Sequence, residues 1–271
     1  GGYNGARGAF SFIGGGGGAT AADSNSSLGE SSTIAGGTSN TAGGEGSVVT
    51  GGGHNSALGQ YSFVGGGGGP ATLYANSATS GISAVVGGER NSATGVGSFV
   101  GAGQTNVASS FRSAVVAGND NSASGSDAFV GAGRSAKARG ALSFVGGGGN
   151  SAGFELDSNV AFGTASVVVG GQNNIAIGNG AFFGNTRGNN KIAIGSRALD
   201  TDTSANGNIA IGHLSMFVNR RGLNNVAVGT SALYGNFSGS RNVAIGDSAL
   251  RLAGRTPCQL DMGAVWGEWI G

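Results

Sequence analysis

Lysine occurs only at Lys137 and Lys191, histidine only at His54 and His213, proline only at Pro70 and Pro257, and cysteine only at Cys258. Fourteen basic against thirteen acidic residues leave no basic stripe to neutralise a phosphate backbone, which argues against nucleic-acid binding. One cysteine cannot close an intrachain disulfide, although a trimer could gather three copies of it. So little proline, with no Gly-X-Y period, excludes a collagen helix. No run of 18 apolar residues is present, so no helix of this chain is expected to insert into a membrane. Neither lysine follows the glycine that a P-loop requires. The chain opens Gly-Gly-Tyr, without an initiator methionine or a signal peptide, which suggests a mature or excised portion of something longer.

What is abundant is glycine, 60 of 271 residues. Glycine is costly to order, yet Val, Ile and Phe return at regular intervals, which disordered linkers do not show. In NNVAVGTSALYGNFSGSRNVAIGDSAL, residues 224–250, the same phrase occurs twice at an offset of 17. The apolar residue before glycine marks the period at Ile177, Ile194, Ile211, Val228 and Ile245, and these five are expected to form the core of the repeat. A second column follows at Phe182, Leu199, Met216, Leu233 and Leu250. Nearer the N-terminus the mark falls at Ile13, Ile34, Val49, Val64, Val86, Val100, Val116, Val130 and Val145, in coils of about 15 residues with two longer steps. Three segments follow: an irregular glycine-rich part, 1–160, with insertions near 15–31 and 66–81; a regular 17-residue repeat, 161–253; and a tail, 254–271. The tail leaves the repeat at Gly254, with Pro257 expected to bar further strand pairing and Trp266 and Trp269 to cover the last coil's edge as a cap; the alternative is a junction to a distal tip or a cleaved chaperone domain.

Within each coil the apolar positions alternate at i, i+2, and no 3.6-residue pattern is sustained. The reading is an all-β fold with essentially no helix. It is a parallel β-solenoid of short 14–17-residue coils, each strand pairing with its copy one coil away. A parallel ladder superimposes like residues, so Val and Ile form internal columns and Gly marks a corner. Asn174, Asn208, Asn225 and Asn242, with Lys191 in one coil, form a ladder at another corner. So thin a roll has much surface for its interior, which favours burial against further copies.

At NNIAIGNGAF, NKIAIGSRAL, GNIAIGHLSM, NNVAVGTSAL and RNVAIGDSAL the chain resembles the head repeats of YadA-type trimeric autotransporter adhesins, which also recur in bacteriophage tail fibres. The resemblance covers about residues 10–253 and is sharpest in these five coils. It implies a left-handed β-roll in an intertwined or side-by-side homotrimer, belonging to an extracellular appendage of a virion or a bacterial surface. The GGGGG tracts at 14–18 and 65–69 and the 17-residue period depart from the family pattern.

Chemistry is sparse. Gly149-Asn150-Ser151-Ala152-Gly153 matches a nucleophile-elbow pattern but has no strand-to-helix context, and reads as a turn. The two histidines are far apart, and Asp200 and Asp202 lack the spacing of a calcium loop and read as solvated loop residues. No enzyme activity, cofactor or metal is expected. Loop aromatics Tyr61, Tyr74, Phe154, Phe217, Tyr234 and Phe237 are candidate receptor contacts, suited to a cell-surface glycan or a protein. The functional reading is a structural or adhesive fibre segment that provides or displays host attachment; the alternative is a purely architectural, self-assembling filament without a receptor.

Overall fold

The computed structural model describes residues 3–147, 159–182, 188–202, 205–252 and 260–261. They are all-β, with parallel strands stacked as a β-solenoid, and divide into compact units at 1–135 and 136–271. The division falls earlier than the change of coil type. Two-strand coils persist to Val167–Val168, and three-residue strands begin at Ile175–Ile177.

In the first unit each coil contributes two strands of two residues. The first strands, such as Ser77–Ala78, Ser92–Ala93 and Val107–Ala108, pair in parallel with one another. The second strands, such as Phe63–Val64, Ala84–Val85 and Phe99–Val100, form another parallel ladder. Inside lie an alanine column (Ala42, Ala57, Ala78, Ala93, Ala108, Ala123) and a branched column (Ile34, Val49, Val64, Val85, Val100, Val115, Val130), all fully buried.

This corrects the repeat mark at two positions: Val85 and Val115 point inward, whereas Val86 and Val116 are 49% and 42% exposed. The interval from Ile13 to Val130 then runs 21, 15, 15, 21, 15, 15, 15. The misplacement has a packing cause. In Phe-Val-Gly coils the ring lies across the glycine two residues on, and a Cβ on Gly101 would stand 3.3 Å from the Phe99 ring. In Ala-Val-Val coils the large outward side chain comes second instead.

The 21-residue coils accommodate their extra length in 3-10 turns at Ala21–Asp23 and Thr72–Tyr74, the two helical elements among the described residues. The first is capped by Asp23 Oδ2, which accepts from Thr20 N and Oγ1.

In the second unit the strands Ile175–Ile177, Ile192–Ile194, Ile209–Ile211, Val226–Val228 and Val243–Ile245 pair in parallel and in register. Here the expectation for the core is corrected. Ala176, Ala193, Ala210, Ala227 and Ala244 are fully buried, while Ile177, Ile211 and Ile245 are exposed and Ile194 and Val228 half-buried. Strand alternation allows only one face inward, and the interior is too narrow for anything larger than alanine there. The larger interior residues come from the second column: Phe182, Leu199, Met216 and Leu233 are fully buried. Each adopts left-handed backbone, φ from 50° to 60°, which turns the chain without a second strand. Such backbone costs an L-residue about 1–2 kcal/mol, so burial of these side chains must offset it.

The tail rejoins the ladder. Leu260–Asp261 pairs with Val243 and Ala244 at the 17-residue offset, so Pro257 precedes a further strand rather than ending the stack. Trp266 and Trp269 lie outside the described residues.

The asparagine ladder is longer than the four residues read from the repeat. In the first unit it runs through Asn25, Asn40, Asn55, Asn76, Asn91, Asn106 and Asn121, all 0–1% exposed. From Asn25 to Asn106 each Oδ1 accepts the backbone N–H of the next ladder residue, as Asn40 Oδ1 does from Asn55 N–H at 2.9 Å and Asn91 Oδ1 from Asn106 N–H at 3.0 Å. Each Nδ2 donates to carbonyls of its own and the following corner, as Asn91 does to Gly87 and Gly103. One side chain thereby satisfies a donor and two acceptors at a buried corner where the sheet ladders have ended.

Candidate functional site

Each candidate aromatic among the described residues stands on a loop or corner. Tyr61 sits at a corner where successive coils repeat a left-handed residue, including Tyr61, Ile82, Arg112 and Asp127 at φ 48–59°. That backbone aims the side chain outward, and Tyr61 is 57% exposed. Its hydroxyl donates to Glu45 Oε1 at 3.0 Å, and Gln60 Nε2 donates to Oε2 of the same carboxylate at 2.7 Å. The Glu45 hydrogen bond and charge raise the phenol above its usual pKa. Tyr74 ends a 3-10 turn, with the Arg90 guanidinium over its ring at 5.3 Å. Arg90 is held there by donating Nε to the Leu73 carbonyl.

In the second unit Phe217 and Tyr234, one period apart, stack with ring centroids 5.1 Å apart and planes 20° from parallel. Arg197 lies over Phe217 at 4.7 Å, and Arg251 over Tyr234 at 5.6 Å. The column therefore reads cation, ring, ring, cation, with ring faces engaged by protein groups. Such an arrangement stiffens a loop through cation–π and stacking contacts; it does not leave a flat platform for a sugar. Phe237 is 49% exposed, with Arg220 at 5.9 Å from its ring. Phe154 lies outside the described residues, as does the segment Gly149–Gly153. Of the five described candidate aromatics, Tyr61 and Phe237 are the most exposed, and they stand in different units.

A broader feature is the outward face of the five three-residue strands of the second unit. Each presents two aliphatics outward, Ile175 with Ile177, Ile192 with Ile194, Ile209 with Ile211, Val226 with Val228, and Val243 with Ile245, all exposed or half-buried. The corresponding outward position of the first unit's strands carries Ser26, Thr41, Ser56, Ser77, Ser92 and Ser122, with Val107 the one aliphatic among them. The same backbone site is thus mostly hydroxylic in the first unit and aliphatic throughout the five three-residue strands. Strand geometry does not demand that difference.

Asp200 and Asp202 were expected in a solvated loop; both are buried. Asp200 accepts from Arg197 Nε at 2.8 Å, beside a cavity of about 240 Å³ lined by Ala165, Asn179, Gly180, Arg197 and Asp200. Asp202 Oδ2 stands 3.8 Å from Lys191 Nζ, and both side chains are fully enclosed. Burial pulls the Lys191 ammonium down to about 8, partly opposed by Asp202. Burial likewise raises the Asp202 carboxyl, against the pull of Lys191 and of hydrogen bonds from Ala205, Asn208 and Asn219. His54 Nδ1 lies 3.0 Å from the Gly69 carbonyl, a corner contact, and His213 is exposed. Among the described residues no three His, Cys, Asp or Glu side chains gather as a metal site. No helix among them is long and apolar enough to cross a membrane. No family model matches the chain, and no curated protein matches it.

Proposed function

We propose that this chain is a non-enzymatic segment of a trimeric extracellular fibre, in a phage tail fibre or the head of a bacterial adhesin, that carries or displays a surface for host attachment. The observation that carries this reading is the aliphatic outer face of the second unit. Ten branched side chains, two on each of five stacked strands, stand in register on a surface that the described residues leave exposed or half-buried. A contiguous apolar face of that kind marks an interaction surface. A solenoid with like residues at successive coils meets copies of itself most simply by cyclic symmetry about an axis along the stack. Three chains around one axis, each winding left-handed as the YadA-like repeats imply, would bury these faces together and leave the loops outside.

In that arrangement Tyr61 and Phe237 stand on the outer loops, each present three times. A glycan or protein receptor on a cell surface would be engaged through three weak contacts at once, and avidity rather than one deep pocket would supply the affinity. The stacked Phe217–Tyr234 pair would serve to hold the loop rather than to touch the receptor.

Sedimentation of the purified chain in dilute solution tests the reading. A discrete trimer is expected, and the Ile194→Asp/Ile211→Asp variant should dissociate to monomers that keep the strand spectrum. A wild-type monomer would overturn the proposal; open-ended polymers would replace it with the architectural filament.

A further inference from the structure

In the coils that begin at Asn208 and Asn225 two buried amides share one carbonyl. Asn208 and Asn219 both donate Nδ2 to Gly222 O, at 2.7 and 2.9 Å, and Asn225 and Asn236 both donate to Gly239 O, at 2.9 and 2.7 Å. One period earlier, both amides are replaced together: Lys191 stands where the others have Asn208 and Asn225, and Asp202 stands where they have Asn219 and Asn236. Either replacement alone would bury a charge without a counter-charge, at a cost far above that of the amide it displaces. Together they place a primary amine against a carboxyl group in a site closed to water, with Nζ and Oδ2 3.8 Å apart and no accessible surface on either side chain.

We propose that Lys191 and Asp202 are joined by an intramolecular isopeptide bond, formed without a cofactor once the coil has folded around them. The Lys191 Nζ lone pair attacks Asp202 Cγ. The Cγ–Oδ2 bond breaks, and Oδ2 departs as water, carrying the carboxyl proton and one amine proton. Lysine amine and aspartic acid thus become a secondary amide and one water, with no oxidant or energy source consumed. The surroundings suit each step. Burial favours the neutral amine and the protonated acid, the two reacting forms. The Ala205 N–H donates to Oδ1 at 3.1 Å and polarises the oxygen that remains as the carbonyl. The Asn208 amide donates to the departing Oδ2 at 3.2 Å. The Phe182 ring lies 5.5 Å from Nζ and forms part of the apolar wall. Fixed juxtaposition supplies the effective concentration that free amines and acids lack in water. The product removes both buried charges and closes a covalent loop across one coil, whatever the fibre's receptor or oligomeric state.

Intact-mass measurement of the full chain in denaturant is the test. The wild-type chain should be one water lighter than its sequence requires. Tandem mass spectrometry should find a branched linkage between peptides carrying Lys191 and Asp202, and trypsin should not cut after Lys191. The Lys191→Asn/Asp202→Asn variant restores the amide pair of the neighbouring coils, so it should fold and show its full sequence mass. A folded wild-type chain of full sequence mass, or a water lost at any other site, would overturn the proposal.

Discussion

Replacing Asn91 by alanine tests whether the asparagine ladder holds the corners together. The side chain is fully buried; Nδ2 donates to Gly87 O at 2.7 Å and Gly103 O at 2.8 Å, and Oδ1 accepts Asn106 N–H at 3.0 Å. Alanine removes all three bonds. Gly103 O keeps the Glu89 N–H at 3.0 Å and stays satisfied. The Asn106 N–H loses the acceptor that Asn91 provides, and a buried unsatisfied donor costs about 1–3 kcal/mol. Adding the lost bond to Gly87 and the space left by the amide, the loss should be about 3 kcal/mol. Aspartate at the same place keeps the acceptor but sets a carboxylate oxygen against two carbonyls, so Asn91→Asp should be less stable than Asn91→Ala at neutral pH. Urea unfolding at matched chain concentration measures this as a fall in midpoint at unchanged slope. Hydrogen exchange should localise the effect to the Asn106 amide. A loss below about 1 kcal/mol for alanine, or an aspartate variant as stable as wild type, would refute the ladder's role. The repeat carries one such deletion itself, at Ala136, so a single loss should weaken the fold without abolishing it.

Two further outcomes follow from the same geometry. Gly212 has φ +132°, and an added Cβ would lie 2.4 Å from the Gly229 carbonyl oxygen, so Gly212→Ala should cost about 3 kcal/mol or more in urea unfolding, whereas Gly36→Ala, with open space around it, should change little. A Lys191 left unlinked would release its proton near 8 when folded and near 10.5 when unfolded. The unfolded state would then bind more protons across that window, and stability would rise with pH by about 3 kcal/mol. With the isopeptide bond formed neither group titrates, so urea midpoints from pH 8 to 10 should stay flat apart from a general drift shared with the Lys191→Asn/Asp202→Asn variant.

Much of the architecture was legible because a parallel solenoid writes its period directly into the chain. The constant spacing of Ile177, Ile194, Ile211, Val228 and Ile245 implies stacked copies in register, and the strands do pair residue for residue at that interval. What spacing does not carry is direction. Ile177 and Ala176 recur with equal regularity, and only the width of the closed coil decides that alanine fills the interior and isoleucine faces out. Val85 and Val86 are likewise indistinguishable by type, and the shift of the bulky outward residue between adjacent coils assigns them.

The candidate site divides along the same line. Loop position and aromatic character place Tyr61 and Phe237 on the surface, but the closure of Arg197, Phe217, Tyr234 and Arg251 into one stacked column arises because residues a full coil apart become neighbours. Asp200 and Asp202 look like solvent-facing acids in a run of polar residues, and the fold buries both. Period, strand type and the asparagine corner are local or repeating properties, and the chain determines them by itself. Which face is interior, and which lysine meets which aspartate, depends on contacts between residues whose separation along the chain says nothing of their direction in space, and only the closed, stacked coil decides them.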